Sequence, residues 1–155
     1  MLLSRSAENL YWANRYVERA ETISRLLDVG YRISLLPNYT STHKSEWESI
    51  LLSAGSFDGY RLKYNEFNQK NISDYLLFDN ENKSSVINCM KAARNNIRSA
   101  RTRVTNDVWL SFNQSYKTFQ KYKKKAYKTE NLPVLCNSIK QETNLLRGAI
   151  ENTQL

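Results

Sequence analysis

This 155-residue chain predicts an all-α fold, a bundle of five or six helices opened by a long N-terminal one. Three observations carry that reading. Hydrophobic residues make up 41% of the chain and charged residues 25%, the balance of a packed globular protein rather than a disordered one. Only 4 Gly and 2 Pro are present, too few for the tight turns of a β-sandwich or the Gly-rich loops of a dinucleotide-binding sheet. Finally, wherever the apolar residues show a period, it is three and four. The length is that of one domain, read as residues 1–155.

The first helix is expected from about Ser6 to Leu36, on Leu10, Ala13, Val17, Ala20 and Leu27, with Ile23 and Leu26 widening the stripe. Ser4 or Ser6 is its expected N-cap and Pro37-Asn38 its stop. A second helix runs from Thr42 or Ser45 to Ala54, with Trp47, Ile50 and Leu51 inward and Gly55 closing it. Over 56–70, Phe57, Tyr60, Tyr64 and Phe67 recur at three and four residues and predict a helix, followed by a short apolar one over Ser73–Phe78. Residues 79–83 read as a loop. Ser84 or Ser85 then caps the clearest helix, in which Val86, Met90, Ala93, Ile97, Ala100 and Val104 step by four and three up to a break near Thr105-Asn106. Val108, Phe112, Ser115, Phe119 and Tyr122 continue beyond the break, and the lysines of 121–128 are expected to fray that helix. Asn131-Leu132-Pro133 opens the last one, with Leu135, Ile139, Leu146 and Ile150 on one side.

The net charge of +8 is unevenly spread. Residues 86–128 hold eleven Lys and Arg against one acid, Asp107, while the rest of the chain is slightly acidic. Such a segment can attract nucleic acid, anionic lipid or an acidic ligand, or can simply be a solvated lysine face. Lys91, Arg94, Arg98 and Arg101 form a cationic stripe directly beside the apolar one, and Asn14, Glu18, Glu21 and Arg25 flank Val17 and Ala20 in the same way. Charges at a helix–helix seam must be paired, so the residues predict a buried Arg–Glu lattice between the first helix and the helix over 85–104. The alternative is that the surplus arginines bind a carboxylate or phosphate, which the guanidinium fork suits.

Cys89 and Cys136 lack metal-ligand or disulfide-framework spacing, and His43 has no helical partner, so no metal and no cofactor are expected. No stretch has signal-peptide or membrane-spanning character, from which a cytoplasmic, soluble protein and no membrane partner are expected. There is no phosphate loop and no nucleophile–base pair.

Leu3-Ser4-Arg5, Ala7-Glu8-Asn9-Leu10-Tyr11-Trp12, Arg15-Tyr16, Glu18-Arg19-Ala20-Glu21 and Arg25-Leu26-Leu27-Asp28, together with Ala92-Ala93-Arg94-Asn95-Asn96-Ile97-Arg98, Arg101, Asp107, Trp109 and Asn113, resemble the two signatures of the alpha-E domain family, a bacterial all-helical group named for its Glu-Arg motif. Asn14 stands where that family has Gly, Asn95 and Asp107 where it has Glu. The resemblance is to the N-terminal half of the usual family length. It implies a polar seam, ligand-binding or structural, of Arg15, Glu18, Arg19, Glu21, Arg94, Asn95, Arg98, Arg101, Trp109 and Asn113. It also implies an accessory role beside circularly permuted ATP-grasp and transglutaminase-like partner proteins in peptide modification, without catalytic activity of its own.

Two further readings stand beside it. Lys117–Lys128 with interleaved Tyr116, Tyr122 and Tyr127 would make a weak, salt-dependent nucleic-acid module, the rings stacking on bases. An amidating enzyme using Glu18 or Glu21 is disfavoured, since a carboxylate pinned by arginines is a poor general acid or base near neutrality. A half-length chain should also expose an apolar surface, giving a homodimer or a complex with a separately encoded second half through Trp12, Trp109 and the apolar face of Leu135 to Ile150.

Overall fold

The computed structural model describes residues 2–37, 40–125 and 127–152, without the side chains of residues 2, 3, 40–44 and 129. Among them the chain forms seven α-helices: α1 (Leu2–Ser34), α2 (Thr40–Ser53), α3 (Phe57–Lys63), α4 (Gln69–Phe78), α5 (Val86–Ser99), α6 (Asn106–Lys124) and α7 (Leu132–Glu151). Short 3-10 turns at Arg101–Arg103 and Thr129–Asn131 lead into α6 and α7. No strand occurs among the described residues.

α1 is the central helix. Its long apolar strip is sandwiched between α5 on one side and α7 on the other, and α6 packs chiefly on α5. Ala13, Val17, Ala20, Ile23 and Leu27 of α1 are fully or almost fully buried, as are Ala93 and Ile97 of α5 and Ile139, Leu146 and Ile150 of α7. Small residues on α1 let its neighbours approach on both sides. α2 and α4 cover the C-terminal half of α1, and α3 packs on α2; Gly30 makes the close approach of α2 possible, since a Cβ there would lie 2.5 Å from Ile50 and 2.7 Å from Trp47.

Several boundaries depart from the sequence expectation for local reasons. α1 begins at Leu2, so Ser4 and Ser6 lie inside the helix and cap nothing. It ends at Ser34, where the amides of Leu35 and Leu36 turn back to Arg32 and Ile33 in a tightened final turn before Pro37, a residue that disfavours helix at the position before it. Asn38 lies outside the described residues, as do the side chains of Thr42 and His43. Gly55 does close α2: at φ +68° it takes the left-handed conformation, and the bonds Ser56 N–H to Leu51 O and Gly55 N–H to Leu52 O complete a Schellman motif.

The single helix expected over 56–70 does not form. α3 stops at Lys63 because Tyr64 is extended, and the four aromatic residues meet through a turn instead, with Phe57 against Phe67 and Tyr60 against Tyr64, Phe67 and Tyr75. The Tyr60 hydroxyl donates to the Glu66 carbonyl and fixes that turn. α4 starts four residues before the expected Ser73, because the Asn68 side chain caps it by accepting from the Asn71 amide at 2.9 Å. Ser85 caps α5 as expected, but that helix ends at Ser99, and Ala100 and Val104 are buried from the turn that follows. Thr105 caps α6, and the lysine run stays helical to Lys124.

Candidate functional site

The residues expected to form one polar seam fall into three places. The first is on α1 facing α2. Glu18 accepts from the Asn14 amide at 3.1 Å and from Arg15 at 3.5 Å, and its side chain is 37% exposed. Arg19 is exposed and lies over the Tyr16 ring at 5.8 Å. Arg15, Glu18 and Arg19 line a shallow 230 Å³ depression with Ser53 at the end of α2 and Ala54 just beyond it.

The second is the α1–α7 interface, and it corrects the lattice expectation. The buried carboxylates of α1 are Glu21 and Asp28, and Glu21 accepts from Arg147 of α7 at 2.6 Å and from Arg25 at 2.8 Å. Seven residues on, Asp28 pairs with Lys140 of α7 at 3.4 Å and with Arg32 at 3.3 Å. Seven residues also separate Lys140 from Arg147, so the two rungs share one antiparallel register. Burial pushes the Glu21 carboxyl up, but the hydrogen bonds and charges of Arg25 and Arg147 outweigh it and hold it below its ordinary 4.5. A carboxylate held in that way is a poor proton acceptor near neutrality. The expected lattice between α1 and α5 is absent among the described residues because the faces those helices share are apolar, and the arginines of α5 turn toward α6.

The third place is that α5–α6 seam. Arg94 Nε donates to Asn113 Oδ1 at 2.5 Å, and its guanidinium lies over Trp109 at 5.8 Å and over Tyr116 at 5.5 Å. Arg98 lies over Trp109 at 5.9 Å and Arg101 at 5.8 Å, and Arg101 also donates to Asn106 Oδ1 at 2.7 Å. Three guanidinium groups thus surround one half-buried indole, so any two of them are no more than about 12 Å apart. Among the described residues no carboxylate forms an ion pair with Arg94, Arg98 or Arg101. Each cation–π contact contributes only about 0.5–1 kcal/mol at a solvated site, and the cations repel one another. Asn95 is exposed on the same helix and lies outside this contact.

The family model Alpha-E, described as "a predicted alpha-helical domain with a conserved ER motif", matches residues 2–155. The chain belongs to the Alpha-E family. No curated protein and no solved structure matches it. In this Alpha-E domain the Glu-Arg pair of α1 is Glu18-Arg19, which occupies the α1–α2 depression, apart from the arginine cluster on α6.

The other expectations resolve residue by residue. Leu135, Ile139, Leu146 and Ile150, expected to face a second copy, are buried against α1 within the chain, and Trp109 is flanked by arginines. Of the expected dimer contacts, Trp12 is exposed, stacked on Tyr11. The lysines of 117–128 are exposed, but their interleaved rings are engaged: Tyr116 under Arg94, Tyr122 against Phe119, and Tyr127 donating to Asp74 at 2.7 Å. Burial pushes the thiols of Cys89 and Cys136 up to about 12, which makes them inert packing groups. Among the described residues no His, Cys, Asp and Glu cluster could hold a metal, and no helix is long and apolar enough to cross a membrane. The sequence expectation for the seam does not include Asp28, Lys140 and Arg147, whose signal is the matched spacing of seven on two helices, and it gives Asn106 no role beyond a helix break.

Proposed function

We propose that this Alpha-E domain is a binding module without catalytic chemistry of its own, which holds an anionic group of its ligand at the arginine cluster on Trp109. One observation carries the reading: Arg94, Arg98 and Arg101 converge on one indole, Arg94 and Arg101 donate to carboxamides, and among the described residues none of the three pairs with a carboxylate. Arg147, the arginine that joins α7 to α1, has an acid partner in Glu21. Here Trp109 and the two asparagines fix the planes of the guanidinium groups while leaving their outer edges to an incoming carboxylate or phosphate, which they suit in fork geometry. Family membership supports placing such a module as an accessory in an ATP-grasp- and transglutaminase-linked peptide-modification system, where a carboxylate-bearing peptide is the natural cargo.

Calorimetric titration with N-acetylglutamate and with inorganic phosphate tests the reading. Binding in the millimolar to sub-millimolar range that weakens with salt, and that falls at least tenfold in Arg98→Ala, is expected. Equal binding by wild type and Arg98→Ala, or none by wild type, would remove this site from the function.

A further inference from the structure

Resting on that reading, we infer that the ligand is an extended acidic peptide lying along the whole α5–α6 seam, not a single small anion. The cluster on Trp109 is one end of a longer strip. One turn before Arg94 on α5, Lys91 lines a 690 Å³ groove with Asn88 of α5 and Tyr116, Gln120, Lys123 and Lys124 of α6. Tyr116 joins the two halves, since its ring carries Arg94 on one side and borders this groove. The cations Lys91, Arg94, Arg98 and Arg101 therefore run in one row beside α6, at steps of three, four and three. At about 1.5 Å per residue along α5 and about 2 Å per residue through the turn that carries Arg101, that row spans about 16 Å. An extended chain covers it with about five residues, whose alternate side chains, about 6.6 Å apart, point to the same side.

A second row separates a peptide from other polyanions. α6 presents Asn106, Asn113 and Gln120 along the seam, one carboxamide every seven residues, with Trp109 and Tyr116 between them. The Asn106 and Asn113 oxygens already accept from Arg101 and Arg94, so the carboxamide that offers both a donor and an acceptor to the N–H and C=O of a peptide backbone is Gln120, where a phosphodiester, which only accepts, would use the donor alone. Single-stranded nucleic acid needs open ring faces for its bases, and both rings of this seam lie under guanidinium groups. The acids of the adjoining loop, Asp79 and Glu81, pair with Lys63 at 2.7 Å and 3.9 Å, and among the described residues neither pairs with Lys123 or Lys124.

Fluorescence anisotropy of labelled hexaglutamate, with N-acetylglutamate and hexathymidylate as unlabelled competitors, decides the matter on the intact chain. Lys91 and Lys123 are exposed, so Lys91→Ala/Lys123→Ala retains the fold, which circular dichroism checks. The inference expects hexaglutamate to bind at least tenfold more tightly than N-acetylglutamate. It further expects the double variant to lose at least fivefold in affinity for hexaglutamate while its affinity for N-acetylglutamate is unchanged. If hexaglutamate gains nothing over N-acetylglutamate, or the double variant binds it normally, the ligand stops at the arginine cluster and the extended peptide is wrong while the anion site stands. If hexathymidylate competes better than hexaglutamate, the seam binds nucleic acid and the inference is overturned. If neither acidic probe binds, the anion site falls with it.

Discussion

Replacing Glu21 by alanine should separate buried from exposed charge on α1. The carboxylate is 7% exposed and accepts two charge-assisted hydrogen bonds, at 2.6 Å from Arg147 and 2.8 Å from Arg25. Bonds of that kind contribute about 1.5–3 kcal/mol each, and removing one member of a fully buried pair costs about 3–5 kcal/mol because the survivor stays desolvated. Here the survivors are not desolvated: Arg147 is 36% exposed and Arg25 65%, so both rehydrate when the acid is gone. Alanine also returns a few tenths of a kcal/mol in helix propensity. The expected loss is about 2 kcal/mol. Glu18→Ala, by contrast, removes a half-exposed pair at 3.5 Å and should cost less than about 0.7 kcal/mol. Urea denaturation with unchanged m-values measures both. In 1 M salt the Glu21 effect should persist, since buried pairs are screened little. A Glu21→Ala loss below about 0.5 kcal/mol, or a Glu18→Ala loss as large, would refute the assignment of Glu21 as the carboxylate that joins α1 to α7.

Other expectations follow from the same geometry. Gly30→Ala should destabilise by about 1–2 kcal/mol on denaturant titration despite its better helix propensity, because the added methyl meets the buried Ile50 and Trp47 at 2.5 Å and 2.7 Å. The Glu21 carboxyl titrates below its ordinary 4.5 in the folded chain, so the unfolded chain takes up the proton first; stability should be full above about pH 4.5 and fall below it, more steeply in wild type than in Glu21→Gln, as pH-dependent melting will show. Leu146→Asp should unfold the chain rather than merely separate one copy from another, since Leu146 is 1% exposed within it; a folded, soluble Leu146→Asp by circular dichroism would contradict its burial against α1.

Most of the fold was legible because its signals are local. The α5 stripe, its Ser85 cap, the Schellman closure at Gly55 and the start of α7 at Pro133 each rest on a few adjacent residues. The site was legible in its residues but not in its partners. Glu18 and Glu21 have nearly the same neighbours along α1, and only the docking of α7 decides which of them is buried. Since α1 is apolar on two sides, no local pattern says which helix covers which side, and the sequence pattern pairs the arginines of α5 with α1 where the structure turns them toward α6. The turn at Tyr64 escaped for a related reason: Phe57, Tyr60, Tyr64 and Phe67 cluster in space at helical spacing, but through an extended Tyr64 held by a tertiary hydrogen bond at Tyr60.

The central claim is that Arg94, Arg98 and Arg101 hold an anion over Trp109. The chain has 3 tryptophans, so the indole N–H signals of Trp12, Trp47 and Trp109 report on three separate places at once: an exposed face, the α1–α2 core and the seam. Titrating N-acetylglutamate into isotopically labelled protein should move the Trp109 signal along a saturable curve, leave Trp12 and Trp47 in place, and lose the effect in Arg98→Ala. Saturable movement of Trp12 with Trp109 still, or no movement of any indole at concentrations where calorimetry records binding, would put the anion elsewhere and contradict the account.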